Sequence, residues 1–176
     1  MTSTPDIRIV PLREPEIPAL IALARAIWHD HYPSIVGIAQ IEYMLDQRYR
    51  AEMIRAQLGR DDVWWDALHV DDALAGFVAC ERGEAAGEIK LDKLYVASHL
   101  QGRGLGTRLL RHAEQRAVSL GAHRIYLQVN RNNLSAIATY RRNGYAVAAE
   151  TVFDIGNGFV MDDYVMARSL APDCGR

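Results

Sequence analysis

Cysteine is nearly absent: Cys80 and Cys174 are the only two in 176 residues, and Cys174 is the third residue from the C-terminal end. Two such residues form neither a disulfide framework nor a metal-binding set, so no metal is expected and a reducing compartment is. A charge excess of one sign is missing as well. The 20 Lys and Arg nearly balance the 22 Asp and Glu, for a net charge of −2. A dedicated nucleic-acid binder carries a basic excess, so no nucleic-acid partner is expected. No apolar run approaches the roughly 18 residues of a membrane span. The opening six residues lack the basic and apolar regions of a secretory leader. The expectation is a cytoplasmic protein with no membrane partner. No repeat, low-complexity tract or Pro/Gly/Ser linker divides the chain. What is there, 49% hydrophobic and 24% charged residues, is an ordinary globular composition and excludes a wholly disordered or collagen-like chain. The length suits one domain over 1–176.

Hydrophobic spacing gives the elements. A strand is predicted over 8–12 and a helix over 14–28, with Ile17, Leu20, Leu23, Ala24, Ile27 and Trp28 on one face and Pro15 and Pro18 in its first turns. Residues 29–33 break the pattern. A second helix is expected over 39–58, stopped by Gly59. Strands follow at 64–70 and 74–81 around an Asp71-Asp72 hairpin turn, then at 88–96. A helix over 104–120, a strand over 124–130, a helix over 134–143 and strands near 146–150 and 160–168 complete the order. The strand–helix–strand unit around 104–120 calls for parallel pairing.

The informative segment runs from Leu94-Tyr95-Val96 into Gln101, Gly102, Arg103, Gly104, Leu105, Gly106 and Thr107. A strand that ends in glycines opening a helix aims backbone N–H groups at one point, where the helix dipole adds positive charge. An anion such as pyrophosphate suits that point. A dinucleotide fingerprint fails because its third glycine falls on Thr107, and a Walker loop fails at the same residue. An ordinary tight turn is the bland alternative.

What does fit is Gln101-x-x-Gly104-x-Gly106, followed further along by Asn130-x-x-Asn133-x-x-Ala136-Ile137-x-x-Tyr140-x-x-x-Gly144-Tyr145. With both patterns in this order, the sequence resembles the GNAT acetyltransferase superfamily over most of its length. The resemblance implies an α/β fold, with a central mixed α+β twisted sheet of six to seven strands flanked by about four helices. It implies acetyl-CoA as co-substrate, its pyrophosphate held by the backbone of Gln101, Gly102, Arg103, Gly104, Leu105 and Gly106, with Thr107 at the next turn. The backbones of Leu94 and Val96 would pair with the pantetheine arm, and the Val96 N–H would meet the oxyanion. Asn133 would meet the CoA arm, although an Asn there is also a good helix N-cap. Tyr140 would protonate the departing thiolate. Arg103, Arg108, Arg141 and Arg142 are further candidates for phosphate, or solvated surface residues.

The general base is less defined. The position where many relatives carry Glu is Lys90 here, so the sequence departs from the pattern. Asp92 is the nearest alternative, with Glu88 and Glu81 behind it, and a water chain through backbone carbonyls is equally open. The acceptor side would involve 28–32 and 153–163. His29, Asp30 and His31 are too close in sequence to converge on one metal, and Asp162-Asp163 would offer an amine a countercharge. The segment 158–166 is similar to the tail of a polyamine-acetylating branch. The implied activity is acetyl transfer to a primary amine by direct attack in a ternary complex, since neither cysteine lies in the motifs. The acceptor would be a small-molecule amine or polyamine, or else a peptide or protein amine. A non-catalytic acyl-CoA sensor, kept open by Lys90, is the competing class. Homodimers are common in the family.

Overall fold

The computed structural model describes residues 4–170 of the chain; Cys174 lies outside them. Among the described residues there are seven strands in one mixed sheet and five α-helices. Along the sheet the order is β1 (Ile7–Pro11), β2 (Val63–Val70), β3 (Ala73–Arg82), β4 (Glu88–Val96), β5 (Arg124–Asn130), β7 (Phe159–Ser169) and β6 (Ala146–Gly156). The helices are α1 (Ile17–His31), α2 (Ile38–Arg48), α3 (Ala51–Leu58), α4 (Leu105–Ser119) and α5 (Leu134–Arg142). The chain divides into two compact units. One holds the residues up to Glu81 together with Lys93–Ala113; the other holds Arg82–Asp92 and the chain from Glu114 onward.

In the first unit β1 runs antiparallel to β2, from Ile7↔Val70 to Pro11↔Asp66. β2 returns as β3 through Asp71 and Asp72, whose φ values of 49° and 66° make the two-residue hairpin turn expected there. Of the face read from its spacing, helix α1 buries Ile17, Leu20, Ala24, Ile27 and Trp28, while Leu23 is half-buried. It runs three residues past the expected end. Tyr32 donates its N–H to the Trp28 carbonyl (3.0 Å), and the two rings meet with centroids 4.7 Å apart. The predicted single helix over 39–58 is two helices. At the break Tyr49 (φ −128°, ψ 45°) leaves the helical region and buries its ring edge-on to Trp28 and Phe77. Arg50 then caps α2, its Nε donating to the Asp46 carbonyl (2.9 Å). Tertiary burial of one ring overrides a helical pattern that holds no Pro or Gly at this point. That break makes the helix count five rather than about four.

In the second unit the start of β4 lies parallel to β5, from Glu88↔Arg124 to Leu91↔Leu127, as the crossover requires. β5 pairs antiparallel with β7, and β7 with β6. The last two strands are eleven residues each, longer than the sequence spacing suggested. Register shifts at Val147/Ala149 and Asp154/Gly156 break the alternation, and the tight turn is Asn157-Gly158.

Candidate active site

The glycine turn forms as the sequence demands. After β4, residues Ser98–Leu100 make a single 3-10 turn, and the Gln101 side chain donates back to the Val96 carbonyl (3.3 Å). Gly102 and Gly104 then adopt φ +77° and +76°, a left-handed backbone that a Cβ would strain. Those two reversals bring the chain into α4 at Leu105. Arg108 N–H closes the first α-turn onto the Gly104 carbonyl (3.0 Å). The N–H groups of Leu105, Gly106 and Thr107 therefore precede the intrahelical ladder. Leu105 is buried while Gln101, Gly102, Arg103 and Gly104 are exposed, so the turn is anchored by one apolar side chain and presents its backbone outward. A Cβ on Gly106 would meet nothing nearer than Leu94 Cδ2 at 4.0 Å. The protein's own packing thus gives no reason for glycine at 106. Arg108 extends to the Ile7 carbonyl (3.1 Å), tying α4 to β1.

The second pattern builds α5 and its end. Asn133 is the buried N-cap: its side-chain oxygen accepts from the Ala136 N–H and from Ser135 Oγ, both at 3.3 Å. At the other end, Tyr145 N–H donates to the Tyr140 carbonyl (3.1 Å) and Gly144 N–H to the Arg141 carbonyl (3.0 Å). Gly144 sits at φ +86°. This is a Schellman closure, with Gly144 as the left-handed residue. The two tyrosines of the motif face different fates. Tyr140 is half-buried, its ring 5.7 Å from that of Tyr145 and inclined at 58°. The buried Tyr145 hydroxyl donates to Glu114 Oε1 (3.0 Å), and burial, then the Glu114 carboxylate, pushes its pKa far up. Arg168 grips both Glu114 oxygens at 2.9 Å. Sequence reasoning missed Glu114 and Arg168, which are 54 residues apart and belong to no motif.

The remaining candidates are dispersed among specific partners. Lys90 Nζ stands 3.5 Å from Asp92 Oδ1, and Glu88 is paired with Arg124. His29 meets Glu42 (2.7 Å), Asp30 accepts from Ser98 Oγ (2.8 Å), and the His31 ring sits edge-on to Tyr32. These three neighbours in sequence thus turn to three different places. Asp162 Oδ1 lies 2.7 Å from Arg131 Nε, so its countercharge is already met within the chain. Among the described residues no group of three His, Cys, Asp or Glu side chains is placed to hold a metal, and no helix is long and apolar enough to cross a membrane.

Residues 21–145 match the model of the acetyltransferase (GNAT) family. An uncharacterised N-acetyltransferase of Lactobacillus delbrueckii subsp. lactis is 22% identical over 170 residues, covering 93% of this chain and 98% of that protein. A probable spermine N(1)-acetyltransferase of Bacillus subtilis subsp. natto is 36% identical over 69 residues, which is 39% of this chain and 45% of that protein. Among solved structures, the PaiA N-acetyltransferase of Thermoplasma acidophilum, crystallised in complex with coenzyme A, superposes with a TM-score of 0.80 at 24% identity. That superposition covers 93% of this chain and 99% of the other.

Proposed function

Because the chain belongs to the GNAT acetyltransferase family, we propose that it moves the acetyl group of acetyl-CoA to a primary amine by direct attack in a ternary complex. The observation that carries this reading is the turn 101–107. Two left-handed glycines open a fifteen-residue helix whose first N–H groups precede the intrahelical ladder, and a third glycine has no packing role. That donor set fits a pyrophosphate, which accepts hydrogen bonds and carries charge that the helix dipole favours. Gln101, Gly102, Arg103, Gly104, Leu105, Gly106 and Thr107 hold it. The family match runs through residues of both units and supports one acetyltransferase domain over 1–176.

Each role in the chemistry is assigned on the motif. The backbones of Leu94 and Val96 align the acyl arm, and the Val96 N–H donates to the carbonyl oxygen as negative charge grows there. Asn133 meets the arm while capping α5. Asp92 takes the proton that the acceptor's ammonium must lose before its nitrogen can attack. As the C–N bond forms and the C–S bond breaks, Tyr140 gives its phenolic proton to the thiolate. Tyr145, just beyond α5, is not the acid in this reading, because its hydroxyl is buried and donates to Glu114.

The acceptor is a small amine or polyamine in this reading, on the strength of the local likeness to the spermine enzyme. The test is thiol release from acetyl-CoA with polyamines, amino acids, aminoglycosides and short peptides. Release with a polyamine supports the reading. Release with peptides alone moves the acceptor to a protein amine. No release from any acceptor, with acetyl-CoA still raising the melting temperature, leaves the sensor and overturns the enzyme.

A further inference from the structure

We infer that Tyr145, Glu114 and Arg168 are positioning residues for Tyr140, a chain of contacts that fixes the phenol in the orientation the proton transfer needs. The inference rests on the assignment of Tyr140 as the acid. Four links of different kinds lead to the Tyr140 ring. Arg168, on β7, binds Glu114 with one guanidinium nitrogen at 2.9 Å from each carboxylate oxygen. Glu114, on α4, is buried to 9% exposure and accepts the Tyr145 hydroxyl at 3.0 Å. Tyr145, 3% exposed, is thereby fixed at both its hydroxyl and its backbone, since its N–H returns to the Tyr140 carbonyl. Its ring is then the wall that Tyr140 rests against, at 5.7 Å.

The geometry of the helix end explains why this arrangement singles out Tyr140. In a Schellman closure the residue after the left-handed glycine contacts the residue five positions earlier, usually through apolar side chains. Here those two residues are Tyr145 and Tyr140. Arg168 also lies under the glycine: a Cβ on Gly144 would stand 3.5 Å from Arg168 Nε. The same guanidinium therefore borders the turn and holds the carboxylate that holds the ring. The Arg168 side chain is still 40% exposed, so its pairing with Glu114 adds little to stability. One nitrogen of a planar guanidinium, set between the two carboxylate oxygens, is a directional contact suited to fixing a neighbour in place.

A residue that acts only through another leaves a specific kinetic signature. Tyr145→Phe keeps the ring and removes the hydroxyl that anchors it. With acetyl-CoA and the amine giving the fastest thiol release, kcat is expected to fall about tenfold with KM for acetyl-CoA unchanged, a loss typical of misplacing a reacting group. Tyr140→Phe should fall at least as far. The double variant should fall no further than Tyr140→Phe alone, because there is no acid left to position. Should Tyr145→Phe fail to fold, Arg168→Lys keeps the charge, replaces the fixed plane of the guanidinium by a mobile ammonium, and is expected to show the same non-additivity against Tyr140→Phe. Losses that multiply in the double variant, or an unchanged kcat in both Tyr145→Phe and Arg168→Lys, overturn the inference and leave the acid assignment standing. An unchanged kcat in Tyr140→Phe overturns the acid assignment itself, and the inference with it.

Discussion

At the scale of single residues, the site depends on positions where side-chain identity follows from backbone geometry. Gly102 and Gly104 have open space around them and still admit no Cβ cheaply, since their φ values near +77° are left-handed. Gly104→Ala adds a strain of about 1 kcal/mol and withdraws the turn from a bound pyrophosphate. The expected outcome is at least a tenfold weaker affinity for acetyl-CoA by calorimetric titration, roughly 1.4 kcal/mol, with a melting temperature only a few degrees lower by the usual scaling. Equal affinity in the variant would remove this turn from CoA binding. These glycines were legible in the sequence because turn chemistry is local: strand, glycines and helix lie within fifteen consecutive positions. The grip of Arg168 on Glu114 was not. Nothing at position 114 distinguishes that glutamate from the solvated charges of an amphipathic helix until β7 is brought against it.

At the scale of elements, the approach to α1 is set by Glu16. Its Oε2 accepts the Arg13 N–H (3.0 Å) and Nε (3.1 Å), and its Oε1 stands 2.8 Å from Nε2 of the buried His69 on β2. The Arg13 side-chain hydrogen bond acts most strongly; burial opposes it, the Arg13 N–H and His69 add to it, and the carboxyl is held down to about 2. The sign follows from linkage. The unfolded chain, with an ordinary carboxyl near 4.3, binds this proton more readily than the folded one. The stabilisation is therefore present above about pH 4.3 and is lost as pH falls toward 2. Glu16→Gln should lower the melting temperature at pH 6 and flatten its fall between about pH 5 and pH 2. Parallel melting curves for the two proteins across that range would show that Glu16 contributes no linked proton. The helix break at Tyr49 belongs to this scale too. The apolar spacing of 39–58 is helical throughout, and only the aromatic cavity made by Trp28 and Phe77 diverts the chain. The Asp71-Asp72 turn, by contrast, was legible, because a two-residue hairpin is specified by its own residues.

At the scale of the whole molecule, two kinds of evidence meet. The order of elements along the chain, the parallel pairing around α4 and the two spaced signatures could be read from periodicity and from resemblance, and the fold agrees with both. The acceptor and the base were less legible, because the residues near them in sequence turn to separate partners: His29 to Glu42, Asp30 to Ser98, Asp162 to Arg131 and Asp92 to Lys90. The reaction course is nevertheless testable on the whole chain. A ping-pong route needs an acyl-carrying nucleophile, and cysteine is the side chain best suited to carry acetyl from a thioester. Cys80 lies in β3 with no exposed surface. A thiol so enclosed is out of reach of a bulky thioester. Replacing both cysteines, Cys80→Ala with Cys174→Ala, should cost about 1 kcal/mol of stability, as core truncations of one small atom do, and leave kcat within about twofold of the parent enzyme. Initial rates measured against both substrates should give lines that intersect, the pattern of a ternary complex, in parent and variant alike. Parallel lines in the parent together with abolished turnover in the double alanine variant would replace direct attack by a cysteine-borne acetyl group.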